Sequence, residues 1–204
     1  INAMSARSLE DLVRHINATP MLCLNWVFAD NQGNIGHQAS GRIPVRENGD
    51  GTFPYPVTDD IDNWHGWIPQ DQMPGMINPD KNWISTCNHK VVDSDYPFYY
   101  SSYFASSYRY RRIKQLLDLP GGKSAGEFWQ FQRDTKNLMA QKLAPVMAGT
   151  LIRYNDTKVL GQVLLEWDHH DDADAAAPAV FHAVYTRFAK KVFEDELGED
   201  AADI

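Results

Sequence analysis

The spacing of hydrophobic residues changes along the chain, and its first part predicts a helix followed by strands. Apolar positions recur on one helical face from Ser8 to Ala18, and Ser8-x-x-Asp11 resembles a capping box. Two strand-like runs follow, "MLCLNWVFAD" and "IGHQASGRIPV", joined by a Gly-containing turn at Asn31–Asn34. This combination predicts a β-hairpin.

The segment from Arg46 to Asn88 has no sustained period. Pro and Gly recur too often there for long elements. The pattern therefore predicts an extended segment with one short strand near Trp83 to Thr86.

The second half of the chain has the period of helices. Tyr108 to Leu117 is predicted as a short helix, because Pro-Gly-Gly follows it. Ser124-x-x-Glu127 is predicted to cap one long helix that Pro145 kinks or ends. Lys158 to Trp167 predicts a third helix, and Pro178 lies near the start of a fourth.

The last predicted helix carries an apolar stripe that is typical of a buried core face. Its members are Phe181, Val184, Tyr185, Phe188 and Val192. The acidic tail "EDELGEDAADI" that follows is predicted to fray.

Composition and charge exclude several classes of protein. The 204 residues are 43% hydrophobic and 23% charged, which is enough for a core and not typical of disorder. A net charge of -8 argues against binding to a phosphate backbone, and no apolar run approaches the roughly 18 residues of a membrane helix. We therefore expect no nucleic-acid and no membrane partner. Cys23 and Cys87 are too few for a disulfide framework or a zinc site.

Histidines and acids are the first candidates for chemistry. The run "WDHHDDADA" places His169 and His170 together with Asp171, Asp172 and Asp174, which favours either a metal site or a solvated helix N-terminus. His37 and His65 stand alone, as structural or surface histidines usually do. Dinucleotide, Walker and HExxH motifs are absent from the sequence, so the residues alone name no reaction.

Six ordered blocks between Asn25 and Leu117 resemble the middle of the β chain in the penicillin acylase family. The members of this family are N-terminal nucleophile hydrolases. The blocks are "NWVFADNQGNIGHQASGRIPVR", "GDGTFPYPV", "WHGWIPQDQMP", "INP", "STCNHKVVDSDYP" and "SYRYRRIKQLL". A looser similarity continues through "FQRDTKNLMAQKLAPVM" and "LLEWDHHDDADAAAPAVFHAVY". The resemblance implies an α+β fold: part of an αββα sandwich, represented by the hairpin, plus the family's helical region. Residues 1–107 would hold the hairpin and extended segment and residues 108–204 the helical region, within one incomplete domain.

The resemblance also implies an activity, hydrolysis of a small-molecule amide such as a β-lactam side chain or an acyl-homoserine lactone. The family's nucleophile and base are the hydroxyl and α-amino group of one N-terminal Ser. Ile1 does not match that position, so we expect an internal piece of a longer enzyme that is inactive alone. Its partners would be the α chain and the remainder of the β chain, and its location periplasmic or extracellular.

Two residues correspond to functional positions of the family. Asn88 matches the side-chain amide of the oxyanion hole, and Arg109 matches an Arg near the nucleophile. The alternative roles are a turn residue for Asn88 and a helix-surface cation for Arg109. His89 stands where the family often has a second Asn.

The resemblance implies no cofactor in this chain. It implies a structural calcium ion in the complete enzyme, but Gly51 and Tyr100 fall near the calcium-ligand positions, which are not convincingly kept.

Two other functional classes stay open at this point. An aromatic-rich first half is consistent with a non-catalytic binding module for sugars or peptides. A metal-binding interaction protein built on His169 and His170 is the other alternative.

Overall fold

The chain forms two compact units, which run from Ile1 to Tyr110 and from Arg111 to Ile204. The structure, a computed structural model, describes residues 2–198. Helices and small antiparallel sheets together confirm the predicted α+β class. The assignment of residues 1–107 and 108–204 to one incomplete domain stays a prediction.

The first unit begins with a short 3-10 turn, Asn2–Ser5, and helix α1, Leu9–Asn17. The Ser8 hydroxyl accepts the backbone N–H of Asp11 at 3.1 Å, as an N-cap residue does. The Asp11 carboxylate accepts the N–H of Arg7 at 3.1 Å, so the capping box predicted from the sequence is half formed. Ile16 is fully buried on the apolar face of the helix.

The predicted hairpin is present in a three-stranded antiparallel sheet. Strands β1, Asn25–Ala29, and β2, Ile35–Ala39, pair directly. The Asp30 carboxylate closes their turn by accepting the N–H groups of Gln32 and Asn34, each at 2.9 Å. The sequence did not predict the third strand, which pairs with the other edge of β2.

The last residues of the predicted second strand belong to a second, two-stranded sheet. The run from Ile35 to Val45 is not one strand, because β3, Pro44–Arg46, leaves the first sheet and pairs with β4, Trp64–Trp67. Gly41 lies between β2 and β3 at φ +104, a conformation that side chains disfavour. The chain therefore changes direction at this glycine.

The third strand of the first sheet is β5, Gly75–Ile77, which pairs with residues 36–38 of β2. The strand predicted near Trp83 to Thr86 is absent, and that prediction is wrong. Asn82 at φ +56 and Asn88 at φ +57 enclose this segment. These left-handed residues interrupt the extended backbone at both ends of the segment.

Five helices follow, and their ends correct the predictions. They are α2, Tyr108–Leu117; α3, Ala125–Gln132; α4, Leu138–Leu151; α5, Lys158–Leu165; and α6, Ala176–Leu197. The bounds of α2 match the prediction, α5 ends two residues earlier, and Pro178 lies in the first turn of α6 as expected.

The long helix predicted to begin after Ser124 is in fact two helices, α3 and α4. The complete capping box of Ser124 and Glu127 starts α3, and the side chain of Asn137 starts α4 by accepting the N–H of Ala140 at 2.9 Å. Between them, Asp134 accepts two hydrogen bonds from one arginine of α2, at 2.6 and 2.8 Å. These bonds, made by Arg112, hold the pKa of Asp134 below its usual value. Helix α4 runs through Pro145, so the helix does not end there.

The core of the second unit lies between α4, α5 and α6. A stripe of small residues on α4, Ala140, Ala144 and Ala148, is fully buried and packs with Trp167 and Phe181. Small side chains at this spacing let the facing helices approach closely.

The apolar stripe predicted on α6 is buried in the core only over the first turns of the helix. Phe181 is fully buried, but Phe188 is 59% and Val192 45% exposed. Helix α6 has 22 residues, whereas α4 has 14 and α5 has 8, so its last turns extend beyond these partners. The first residues of the acidic tail belong to α6 as far as Leu197 and are not frayed; residues 199–204 of that tail lie outside the described residues.

A glycine in the second unit shows how tightly α4 and α5 pack. A Cβ atom on Gly161 would lie 2.6 Å from Ile152 Cγ1 and 2.9 Å from the carbonyl oxygen of Ala148. We expect Gly161→Ala to lower the free energy of unfolding by about 1–3 kcal/mol, because the helices must separate to accept it. Gly149→Ala is the matched control: a Cβ there meets nothing within 4 Å, and helix propensity should raise stability by about 0.5–1 kcal/mol. Equal urea midpoints for the two variants would contradict this close packing.

Candidate active site

Asn88 lies in an irregular loop of the first unit and has a left-handed backbone, φ +57. Asn tolerates this conformation better than most residues because its short polar side chain bonds locally. Its backbone carbonyl accepts the N–H of Ala105 at 2.7 Å. This hydrogen bond therefore holds the backbone of the loop at Asn88, the residue that the resemblance assigns to the oxyanion hole.

Arg109, in the first turn of α2, contacts the same loop. Its Nη2 atom donates to the carbonyl oxygen of Cys87 at 3.0 Å and to Oδ1 of Asn88 at 3.0 Å. The two hydrogens of one nitrogen thus bridge consecutive residues. The structure thus brings together the two predicted site residues, Asn88 and Arg109, which lie 21 positions apart in the sequence.

The contact with Arg109 fixes the orientation of the Asn88 amide. A guanidinium has donors and no acceptor, so the oxygen of the amide must face it. The Nδ2 group of Asn88 is then directed away from Arg109, and within residues 2–198 it donates no hydrogen bond. Asn88 is exposed, so this amide is an available donor.

The neighbours of Asn88 are held by backbone and ring contacts. His89 stacks on Tyr110, with ring centroids 3.9 Å apart and planes inclined by 16°. The backbone N–H of Cys87 donates to Nδ1 of His89 at 3.3 Å. A backbone N–H cannot accept, so the neutral imidazole carries its proton on Nε2.

Burial favours the neutral form of three titratable groups of the first unit, Cys87, His37 and His89. Burial raises the pKa of the Cys87 thiol, and the charge of Arg109 offsets this in part. Burial likewise lowers the pKa of His37 and of His89 below the usual histidine value. Cys87 is therefore a poor nucleophile, because the thiolate is the reactive form. No sequence signal pointed to the contacts of Cys87 and Ala105 with the site.

His37 and His65, the two isolated histidines, have structural contacts. His37 is buried in β2, and its Nε2 atom lies 2.8 Å from Oδ1 of Asn25. His65 is exposed, and its Nε2 atom lies 3.0 Å from the carbonyl oxygen of Ile61.

The run of histidines and acids before α6 bonds to the segment before α4. His170 and Asp172 both bond to the hydroxyl of Thr135 at 3.0 Å, and Asp171 accepts from Asn137 at 2.9 Å. Within residues 2–198, no three His, Cys, Asp or Glu side chains are placed to hold a metal ion. Ala175, the residue before α6, makes no side-chain cap bond. The run joins two loops of the second unit, and the expected capping role is not formed.

The two positions near the family's calcium ligands offer no carboxylate side chain. Gly51 has no side chain to offer, and it lies at φ +86. The ring of Tyr100 packs against Tyr96 and Phe104, with centroids 6.3 and 6.4 Å apart. Calcium takes carboxylate and carbonyl oxygens, so neither side chain replaces a ligand.

The similarity to known sequences extends beyond the six blocks between Asn25 and Leu117. The sequence model of the family described as penicillin amidase matches residues 1–204, the whole of the chain. The chain belongs to the penicillin amidase family.

Relatives in the penicillin amidase family include enzymes with two kinds of name. The chain is 31% identical to the penicillin acylase 2 proenzyme of a Pseudomonas species, over 78% of this chain and 21% of that protein. It is 30% identical to the acyl-homoserine lactone acylase QuiP of Pseudomonas fluorescens, over 98% of this chain and 26% of that protein. The chain thus spans about a quarter of the length of these curated relatives.

The fold agrees with that of a solved penicillin G acylase. A thermostable penicillin G acylase from Alcaligenes faecalis superimposes with a TM-score of 0.74, at 20% identity, over 98% of this chain and 38% of that one. At this identity the match shows the fold alone. Among the described residues, no helix is long and apolar enough to cross a membrane.

Proposed function

We propose that this chain is part of an amidohydrolase that cleaves the acyl group from a small-molecule amide, and that Asn88 donates to the oxyanion of the tetrahedral intermediate. Membership of the penicillin amidase family and the names of the relatives support the reaction class. The observation that carries the residue assignment is the free Nδ2 group of an Asn88 side chain whose Oδ1 atom is held by Arg109.

The geometry of Asn88 suits this role for a physical reason. A donor stabilises the transition state most when it is aimed beforehand at the oxygen where charge develops. An Asn that rotates freely would lose part of that gain on ordering its side chain. Here the loop is held through Asn88 O, and the amide through Asn88 Oδ1, before any substrate binds.

Arg109 acts in this proposal as a positioning residue. It donates to neutral oxygens, and within the described residues it forms no salt bridge, so its charge is not cancelled by a carboxylate. An uncancelled cation polarises the Asn88 amide and makes its N–H a stronger donor. The two bonds to Cys87 and Asn88 favour this role over the alternative of a solvated helix-surface cation.

The rest of the machinery belongs to other parts of the complete enzyme in this proposal. An N-terminal Ser would supply nucleophile and base, and the remaining oxyanion donors would come from outside this chain. The partners would be the α chain and the remainder of the β chain, in a periplasmic or extracellular enzyme. The substrate would be a penicillin-like or acyl-homoserine lactone amide.

Assays of the complete enzyme and an Arg109 variant test this proposal. The enzyme should release a carboxylic acid from penicillin G or from an N-acyl-homoserine lactone, and the 204-residue chain alone should release none. In the enzyme, Arg109→Met should lower kcat about 10- to 100-fold with little change in KM, because the amide loses its alignment. The side-chain amide signals of Asn88 in the NMR spectrum of the chain should shift and broaden.

The matched control is Arg111→Met, an exposed arginine of the same helix. It should leave kcat and the Asn88 signals unchanged. An enzyme that hydrolyses neither substrate class contradicts the reaction, whereas equal kcat values for the two variants contradict the role of Arg109.

A further inference from the structure

The residue after Asn88 also contacts the helix that carries Arg109. The ring of His89 stacks on Tyr110, with centroids 3.9 Å apart and planes inclined by 16°. On another side, the centroid of the Tyr110 ring lies 6.4 Å from that of Trp83. Two consecutive residues of α2 therefore contact two consecutive residues of the loop, Arg109 with Asn88 and Tyr110 with His89.

The backbone of Cys87, the residue before Asn88, is held on both sides. Its N–H donates to Nδ1 of His89 at 3.3 Å, and its carbonyl oxygen accepts from Nη2 of Arg109 at 3.0 Å. Cys87 is only 4% exposed, and among residues 2–198 its N–H donates to no other atom. A buried N–H needs a partner, so the position of Cys87 depends on His89.

The bond from Cys87 requires the neutral form of His89. A neutral imidazole has one acceptor nitrogen, whereas both nitrogens of a protonated ring are donors. Protonation of Nδ1 would direct one N–H at another, and the contact would become repulsive. Burial, and after it the charge of Lys81, lower the pKa of His89, so the accepting form is favoured.

The charged and titratable groups around His89 are mostly basic. They are Lys81, Lys90, Asp93 and His37, which line the adjoining cavity with His89, and Arg109 on α2. With one carboxylate among them, an added positive charge on His89 is disfavoured. Because the pKa of His89 lies below its ordinary value, its contribution to the stability of the loop is present above that value and is lost as the pH falls.

We propose that His89 is a positioning residue for Asn88. Its neutral Nδ1 atom holds the N–H of Cys87, its ring lies against Tyr110, and together these contacts set the backbone from which the Asn88 amide projects. This inference rests on the proposed function, since it concerns activity only if Asn88 donates to the oxyanion. The Asn88 amide is aligned while His89 is neutral and loses that alignment when His89 is protonated.

Two substitutions separate the acceptor of His89 from its ring. His89→Phe keeps a ring against Tyr110 but has no acceptor, and in the complete enzyme it should lower kcat about 3- to 10-fold with little change in KM, the effect of one neutral hydrogen bond. His89→Asn has an amide oxygen that accepts without titrating, and it should recover most of this loss. His65→Phe is the matched control, because His65 is exposed and bonds only to the Ile61 carbonyl.

An NMR titration of the 204-residue chain gives a second readout, which needs no turnover. The backbone N–H signal of Cys87 and the side-chain amide signals of Asn88 should shift together as the pH falls through the pKa of His89. His89→Asn should abolish this transition, and His65→Asn should leave it unchanged.

A transition that persists in His89→Asn, or an unchanged kcat in His89→Phe, overturns the positioning role. An enzyme whose kcat does not depend on Asn88 contradicts the proposed function instead, and in that case the NMR transition still decides whether His89 holds the loop.

Discussion

Under the proposed function, Asn88→Ala in the complete enzyme should lower kcat by about 10²–10³, which corresponds to about 2.7–4 kcal/mol of lost transition-state stabilisation. KM should change far less, because the ground-state carbonyl gains little from a donor aimed at the developing oxyanion. Steady-state kinetics and a melting temperature on one preparation measure both quantities.

Two further substitutions distinguish a role of the Asn88 side-chain amide from a role of the Asn88 backbone conformation. Asn88→Gly keeps the left-handed conformation at φ +57 without strain and removes the amide, so kcat should fall as far as in the Ala variant. Asn88→Asp keeps the size and an acceptor for Arg109, but places a negative charge where one must develop, and should be at least as inactive. A Gly variant with normal kcat would mean that Asn88 serves as a turn residue.

Phe181→Ala should destabilise the second unit by about 3–5 kcal/mol, the largest loss of stability that we expect from a single change. Phe181 is fully buried, and its ring lies 5.6 Å from Trp167 and 6.0 Å from Tyr185 between centroids. Truncation removes these contacts and leaves a cavity that rigid helices fill only in part. Urea unfolding followed by Trp fluorescence measures the loss.

Phe188→Ala is the matched control, seven residues further along the same helix. Its side chain is 59% exposed, so the change should stay within about 0.5 kcal/mol in free energy of unfolding. If Phe188→Ala destabilised the chain as much as Phe181→Ala, another surface would have to cover the last turns of α6.

Local signals account for the parts of the fold that the sequence predicted. The Asp30–Asn34 turn, the Ser124 capping box and the Pro-Gly-Gly stop after α2 act within a few residues, so their patterns are visible in the sequence. The break between α3 and α4 contains Asp134, whose partner Arg112 lies 22 residues away, so this contact is not visible as a local pattern. Strand β5 has three residues and no period, and it forms because β2 offers an edge.

The candidate site was likewise predictable from the sequence only in part. Resemblance to a family selected Asn88 and Arg109, whereas composition and spacing would have left both as ordinary polar residues. Their contact was not predictable from either, because it depends on where α2 begins relative to an irregular loop.

The conformation of Asn88 restricts which amino acids evolution can place there. Glycine satisfies the left-handed backbone but offers no amide, and glutamine offers an amide on a longer side chain that tolerates this backbone poorly. Aspartate suits the backbone and accepts from Arg109, yet it cannot donate. Each of these three substitutions therefore loses either the backbone geometry or the donor that the proposed function requires, so a lineage that makes one of them must abandon or rebuild the proposed site.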